Sequence, residues 1–222
     1  AGLAYEPVLA STKTHQLADG TDFYTINPLG YVPVLELDDG TRLREGPAIV
    51  QYLADQAPHK NLAPAHGTLG RYRLQEWLTF IGTEIHKTFS PLFNKQASED
   101  WKAAARALLD RRIDTVAKAL EGRSFLMGDA FSVADCYLFT VLNWAHWVKI
   151  DLSRWPAIGE YLKRVPAGQL VEDIGRRNPA LHAEIVAAMD PVAMTEVGQG
   201  SWSLVSEHEA FLHELASPVA HD

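Results

Sequence analysis

The residues whose types and settings could do chemistry are His86, the Glu45-Gly46 pair and the Val32-Pro33 pair. His86 shares a helix face with Thr79, Gly82 and Ser90, a small and polar stripe that makes a notch flanked by aromatic residues. An imidazole ordinarily titrates near pH 6.5, so a histidine there could support a thiolate or pass a proton. The plainer alternative is a structural or exposed histidine, which is the commoner fate of a lone one on a helix.

Glu45-Gly46-Pro47 reads as a helix start. It could simply place an acid on the helix dipole. It could also offer free N–H groups to a carboxylate while Glu45 takes an ammonium. Val32-Pro33 could merely shape a turn. In the cis form it would reverse the chain and present the N–H and C=O of Val32 to a ligand.

Other reactive types are weaker. Cys136 follows the capping-box pattern Ser132-Val133-Ala134-Asp135 and pairs with Phe131 as a hydrophobic staple, which favours an inert packing thiol. Trp144 and Trp147 read as core or cleft-wall residues, Trp144 being the better placed for a cleft. His208, His213 and His221 lack ligand spacing and read as solvated.

The elements that must position these groups follow from pattern. Residues 5–10 and 33–37 read as strands, and 41–44 returns from the hairpin turn Asp38-Asp39-Gly40. Pro47 suits a first helical position, and Ala48, Ile49, Tyr52 and Leu53 give that helix an apolar face. Residues 57–67 read as an interdomain linker, after which everything reads as helix. Residues 69–89 carry apolar groups at helical spacing. Residues 101–120 do so through Trp101, Ala105, Leu108, Ile113, Val116 and Leu120. The helix opened by Ser132 is apolar nearly all round and belongs at a domain centre. Trp155-Pro156 starts a short helix ending near Arg164. Residues 180–189 and 206–215 could form short amphipathic helices.

The 222 residues carry a net charge of -8, which argues against nucleic acid. No apolar run reaches membrane-span length, so no membrane partner is expected. One cysteine among 222 residues and no visible signal peptide fit a reducing compartment, with the cytoplasm as the expected location.

The combination is more specific than its parts. Asn27-Pro28-Leu29-Gly30-Tyr31-Val32-Pro33-Val34-Leu35, then Asp38-Asp39-Gly40, then Glu45-Gly46-Pro47-Ala48-Ile49, resembles the bacterial beta-class glutathione transferases. Glu84-Ile85-His86-Lys87 with Ser90-Pro91-Leu92-Phe93 looks like that class's fourth helix, and Phe131 to Phe139 like its sixth. The resemblance runs from Ala1 to about Arg164.

It implies an α/β thioredoxin-like N-terminal domain, incomplete here, joined to an all-α C-terminal domain. The boundaries would be 1–58, 65–165 and a divergent extension 166–222. It implies transfer of the glutathione thiolate to small hydrophobic electrophiles by a homodimer, with glutathione as co-substrate and no cofactor or metal. By analogy the Val32 backbone, with Tyr31 and Pro33, would hold the cysteinyl part, and Glu45 and Gly46 the γ-glutamyl end. His86 would support the thiol, and Phe89 and Trp144 would line the electrophile pocket.

Departures are also visible. His15 stands where the class often has a lysine near the glycyl end, Tyr31 where many members carry Gln, and Thr79 where Asn is frequent. The class begins with a strand and helix holding its characteristic cysteine, a unit expected to be missing here. Strands 5–10 and 33–37 would then stand roughly 10 Å apart, two sheet spacings. The sheet would rearrange, or another segment would fill the gap, or the protein would be unstable; the alternating stretch 200–205 is one candidate to fill it. A glutathione- or hydrophobic-ligand-binding protein without catalysis, and a thiol-disulfide oxidoreductase, are the alternative functions.

Overall fold

The computed structural model describes residues 1–11 and 14–165. The expected helices at 180–189 and 206–215 and the gap-filling stretch 200–205 lie outside the described residues.

The N-terminal part holds two separate antiparallel ribbons. Strands β1 (Ala10–Ser11) and β2 (Gln16–Leu17) pair with each other, and β3 (Val34–Glu36) pairs with β4 (Arg42–Arg44). In the second ribbon Val34 faces Arg44, Leu35 faces Leu43 and Glu36 faces Arg42. Arg42 adds an ion pair to Glu36 at 2.6 Å. The hairpin turn closes through Gly40 at φ 80°, where glycine has no Cβ to clash, and the Asp39 carboxylate accepts the Thr41 N–H at 2.8 Å.

The expected strand over 5–10 is not formed. Only its last residue enters a ladder, and Tyr5, Val8 and Leu9 are exposed. A strand needs a partner for its N–H and C=O groups, and among the described residues no strand lies between the two ribbons. The described strands form two short pieces and not one continuous layer.

Helix α1 (Gly46–Asp55) starts directly after β4 and buries Ile49 and Ala54, while Ala48, expected on the apolar face, is exposed. Helices α2 (Leu69–Phe80) and α3 (Lys87–Phe93) are joined without a break by a wider π turn (Ile81–His86). The single helix expected there is thus widened over Ile81–His86, and Pro91 sits further on, inside α3. Helix α4 (Glu99–Leu120) is capped by the Ser98 hydroxyl, which accepts the Trp101 N–H at 3.2 Å. Its buried face runs through Ala105, Leu109, Ile113, Val116 and Leu120. Ala105, Ile113, Val116 and Leu120 are buried as expected, whereas Trp101 is exposed and Leu109 takes the inward place expected of the half-buried Leu108.

Helix α5 (Val133–Asn143) is the central one, buried along most of its length and touched by α1, α2 and the π turn. Its capping box is formed: the Asp135 carboxylate accepts the Ser132 N–H at 2.9 Å and hydroxyl at 2.8 Å, and also the Leu126 N–H at 2.9 Å. The Tyr161 hydroxyl, from α6 (Pro156–Arg164), donates to the same carboxylate at 3.3 Å. Burial pushes the Asp135 carboxyl up, against the lowering effect of these bonds.

Candidate functional site

The site is assembled where α1 meets α5 and the π turn. The loop before β3 is braced by Asn27, which is buried and donates from Nδ2 to the Tyr31 carbonyl at 2.6 Å. Its own carbonyl accepts the Gly30 N–H at 2.8 Å. Gly30 has φ 68°, and a Cβ there would approach His15 Nδ1 to 2.8 Å. The loop so held leaves Tyr31 and Val32 exposed, and the Val32-Pro33 bond is cis.

Glu45 has φ 69° and ψ 113°, an uncommon conformation for a residue with a side chain. Its carbonyl caps α1 by accepting the N–H groups of Ala48 at 2.9 Å and Ile49 at 3.0 Å. Its carboxylate makes no capping bond. Pro47 has no N–H, so the anion-accepting donors expected in the first turn reduce to the Gly46 N–H.

His86 closes the site from the helical side. Its Nδ1 lies 2.7 Å from the Tyr137 hydroxyl, and its ring stands edge-on to Trp144 with centroids 4.5 Å apart. Tyr137, on α5, lies over Gly82 of the π turn, whose Cβ position is 3.5 Å from the hydroxyl. The notch predicted from the small stripe is therefore occupied by Tyr137. Burial pushes the His86 imidazole down to about 4, with Lys87 adding to the effect. At neutral pH the ring is uncharged, not poised near its usual value. Burial pushes the Tyr137 phenol up to about 12, and the nearby Glu45 charge adds to this, so the α1 start and the helical side share one field.

Tyr137 is the residue that sequence reasoning passed over. On an otherwise apolar helix it read as packing, yet a half-buried phenol needs a polar partner, and that was its one signal.

The remaining expected residues divide. Thr79 is exposed on α2, one turn beyond Gln75, which bonds Gln51 of α1 at 3.2 Å. It therefore borders the α1 side of the cleft. His15 packs on Tyr24 with ring centroids 4.5 Å apart, and its Nδ1 is buried without a partner beneath the 27–32 loop. Phe89 has no exposed surface and touches Phe93 and Trp144, so it backs the site instead of lining it, as expected of a core position on α3. Trp144 is itself only 5% exposed, wedged between His86, Phe89 and Phe93, so at most one edge reaches the cleft.

Burial pushes the Cys136 thiol up to about 11, which leaves almost no thiolate at neutral pH and speaks against the oxidoreductase alternative. Among the described residues no three of His, Cys, Asp and Glu stand together as metal ligands, and no helix is long and apolar enough to cross a membrane.

Comparison with known proteins places the chain among glutathione S-transferases. A family model described as glutathione S-transferase, N-terminal domain, matches residues 1–56, and one for the C-terminal domain matches residues 80–167. Glutathione S-transferase GstA of Escherichia coli O157:H7 is 42% identical over 158 residues, 71% of this chain and 79% of that protein. Glutathione S-transferase GST-4.5 of Xanthomonas campestris is 34% identical over 157 residues, 66% of this chain and 74% of that protein. Among solved structures, a ternary complex of the bacterial transferase BphK matches with a TM-score of 0.77 and 50% identity, covering 80% of this chain and 89% of that one. A sphingomonad glutathione S-transferase complexed with glutathione matches with a TM-score of 0.76 and 41% identity, covering 81% and 89%.

Proposed function

The chain belongs to the glutathione S-transferase family, a transferase with glutathione as co-substrate, and we propose that glutathione binds between the 27–32 loop, the start of α1 and His86. The observation that carries this is the packing of α1 and of the π turn on α5, whose Tyr137 stands 2.7 Å from His86 Nδ1 and so puts the α1 start beside the His86 side. In this reading the two parts, 1–58 and 65–165, form the two walls of the cleft.

Each residue then has a role set by its chemistry. The Glu45 carboxylate, which makes no capping bond, takes the γ-glutamyl ammonium, and the Gly46 N–H takes the neighbouring carboxylate. The exposed Val32 backbone pairs with the cysteinyl unit, with Tyr31 and Pro33 beside it. His15 and Thr79 flank the glycyl end and the α1 side. His86, uncharged, supports the sulfur as a hydrogen-bond donor and not as a cation. The thiol gives its proton to solvent, and the thiolate attacks the electrophilic carbon, forming a carbon–sulfur bond as the carbon–leaving-group bond breaks and the leaving group departs with its electron pair, as halide from an activated aryl halide. A free thiol ionises near pH 8.5, so each hydrogen bond to the anion raises the reactive fraction. The edge of Trp144 forms part of the electrophile wall.

The same reading includes a homodimer in the cytoplasm. Leu69 and Tyr72 project from α2 at 68% and 61% exposure, a pair of large apolar side chains suited to a second subunit.

The test is calorimetric titration with glutathione, paired with turnover of an activated aryl halide. Glu45→Ala is expected to weaken glutathione by about tenfold or more, the loss of a charge-assisted contact. Wild-type affinity in that variant refutes the placement of the γ-glutamyl end.

A further inference from the structure

We propose that Tyr137 is a positioning residue whose hydroxyl donates to His86 Nδ1 and so holds the imidazole with Nε2–H directed into the cleft. The inference rests on the reading above, in which His86 faces the glutathione sulfur.

Three observations carry it. First, the Tyr137 hydroxyl and His86 Nδ1 are 2.7 Å apart, and among the described residues no other group bonds either atom. If Nδ1 carried the proton, the phenol hydrogen would be left without a described acceptor. If the phenol donates, both atoms are satisfied by one bond. Second, His86 is only half-buried and its Nε2 bonds no described group, so with Nδ1 engaged by Tyr137 it is Nε2 that is left to give an N–H to a ligand. Third, both rings are held by packing. Trp144 stands perpendicular to the imidazole at 4.5 Å, and Tyr137 lies against Gly82.

The phenol is suited to this task because it stays protonated. Burial and the Glu45 charge both oppose its ionisation, so at neutral pH it always has a proton to give. The imidazole in turn needs no charge to act, since a neutral ring with Nε2–H is a complete donor to sulfur.

The test uses ring-15N-labelled full chain, in which protonated and unprotonated imidazole nitrogens differ widely in shift, with His86 assigned by its loss in His86→Gln. Wild-type protein is expected to show His86 protonated at Nε2 and bare at Nδ1 at pH 7. Tyr137→Phe, which keeps the ring and removes the oxygen, is expected to show a mixture of tautomers. Its turnover of glutathione with an activated aryl halide is expected to fall about tenfold while its glutathione affinity changes by less than about twofold, as for one lost hydrogen bond acting through another residue. A wild-type spectrum with Nδ1 protonated overturns the proposal, whether or not the variant folds. So does a folded Tyr137→Phe with the wild-type tautomer and wild-type turnover; that result leaves the reading of His86 standing. If His86→Ala keeps full turnover, the reading of His86 fails instead, and any catalytic use of Tyr137 fails with it.

Discussion

The Arg71 guanidinium grips both oxygens of the Asp55 carboxylate, tying the first turn of α2 to the last residue of α1. Arg71 is 2% exposed and also donates from Nε to the Pro64 carbonyl at 2.7 Å, so one buried cation fastens α1, the linker and α2 together. Arg71 holds the Asp55 carboxyl below the usual carboxylate range. Removing the acid strands a buried charge. Asp55→Asn is expected to cost about 3 kcal/mol in urea denaturation. His66 touches the same carboxylate at 2.9 Å from an exposed position, so His66→Ala is expected to cost less than about 0.5 kcal/mol. Equal losses for the two variants contradict the assignment of Arg71 as the fastening cation.

His86 sets a pH dependence of stability. Its folded value is about 4 against 6.5 when free, so the unfolded chain binds the proton first as pH falls. The stabilisation is complete above about pH 6.5 and is lost as pH falls towards 4. Between pH 7 and pH 4.5 the loss from this group is about 2–3 kcal/mol. Asp55, held low, acts mainly below its free value of 3.8, and Asp135, held high, works in the opposite sense. The difference between wild type and His86→Gln therefore isolates the imidazole. A variant with the same acid slope as wild type refutes the buried neutral ring.

What could be read without coordinates was what local chemistry decides. The β3–β4 hairpin needs only Asp38-Asp39-Gly40, and the α5 start needs only Ser132 and Asp135, so both appear where expected. The strand over 5–10 depended on a partner elsewhere, and its apolar residues stayed exposed. Along α4 the spacing of Ala105, Ile113, Val116 and Leu120 was enough, but Leu108 and Leu109 are adjacent and only packing decides which faces inward. The site was half legible. Glu45, Val32 and His86 were identified as types, but the sign of the His86 shift follows from burial, and its Tyr137 partner lies 51 residues along the chain.

Phe89 and Trp144 separate packing from chemistry. Phe89 is fully buried behind Trp144, so Phe89→Ala is expected to cost about 3–5 kcal/mol in stability. A milder Phe89→Leu is expected to leave the KM for electrophile within about twofold, because the ring does not reach the cleft. A selective change in electrophile KM, at unchanged stability, puts Phe89 back in the pocket wall.

The α5 start predicts a graded series. Asp135 serves the Ser132 N–H and hydroxyl, the Leu126 N–H and the Tyr161 hydroxyl. Asp135→Ala orphans the Ser132 and Leu126 donors at once, while the Tyr161 hydroxyl keeps the residue-135 carbonyl at 3.1 Å, and is expected to cost more than about 3 kcal/mol. Ser132→Ala removes one hydroxyl and is expected to cost about 1 kcal/mol. Thermal unfolding of both variants checks the order; a Ser132→Ala loss as large as that of Asp135→Ala would place the weight on the cap and not on the buried carboxylate.

Glu45 joins backbone conformation to function. At φ 69° its Cβ is held where an L residue is disfavoured, and such strain costs of order 1–3 kcal/mol. Its carbonyl caps α1 whatever the side chain, and its carboxylate makes no capping bond, so the side chain itself adds nothing to the cap against that cost. Glycine accepts the conformation freely but loses more entropy on folding. Glu45→Gly is therefore expected to leave stability unchanged or raise it by up to about 1 kcal/mol, while Glu45→Ala does not. Both variants are expected to bind glutathione about tenfold or more weakly, since both lack the acid that faces the ammonium. Denaturation and calorimetry on the same two proteins give four numbers. A Glu45→Gly protein that is clearly less stable and binds glutathione normally contradicts both halves: the side chain would then be holding the fold and not the ligand.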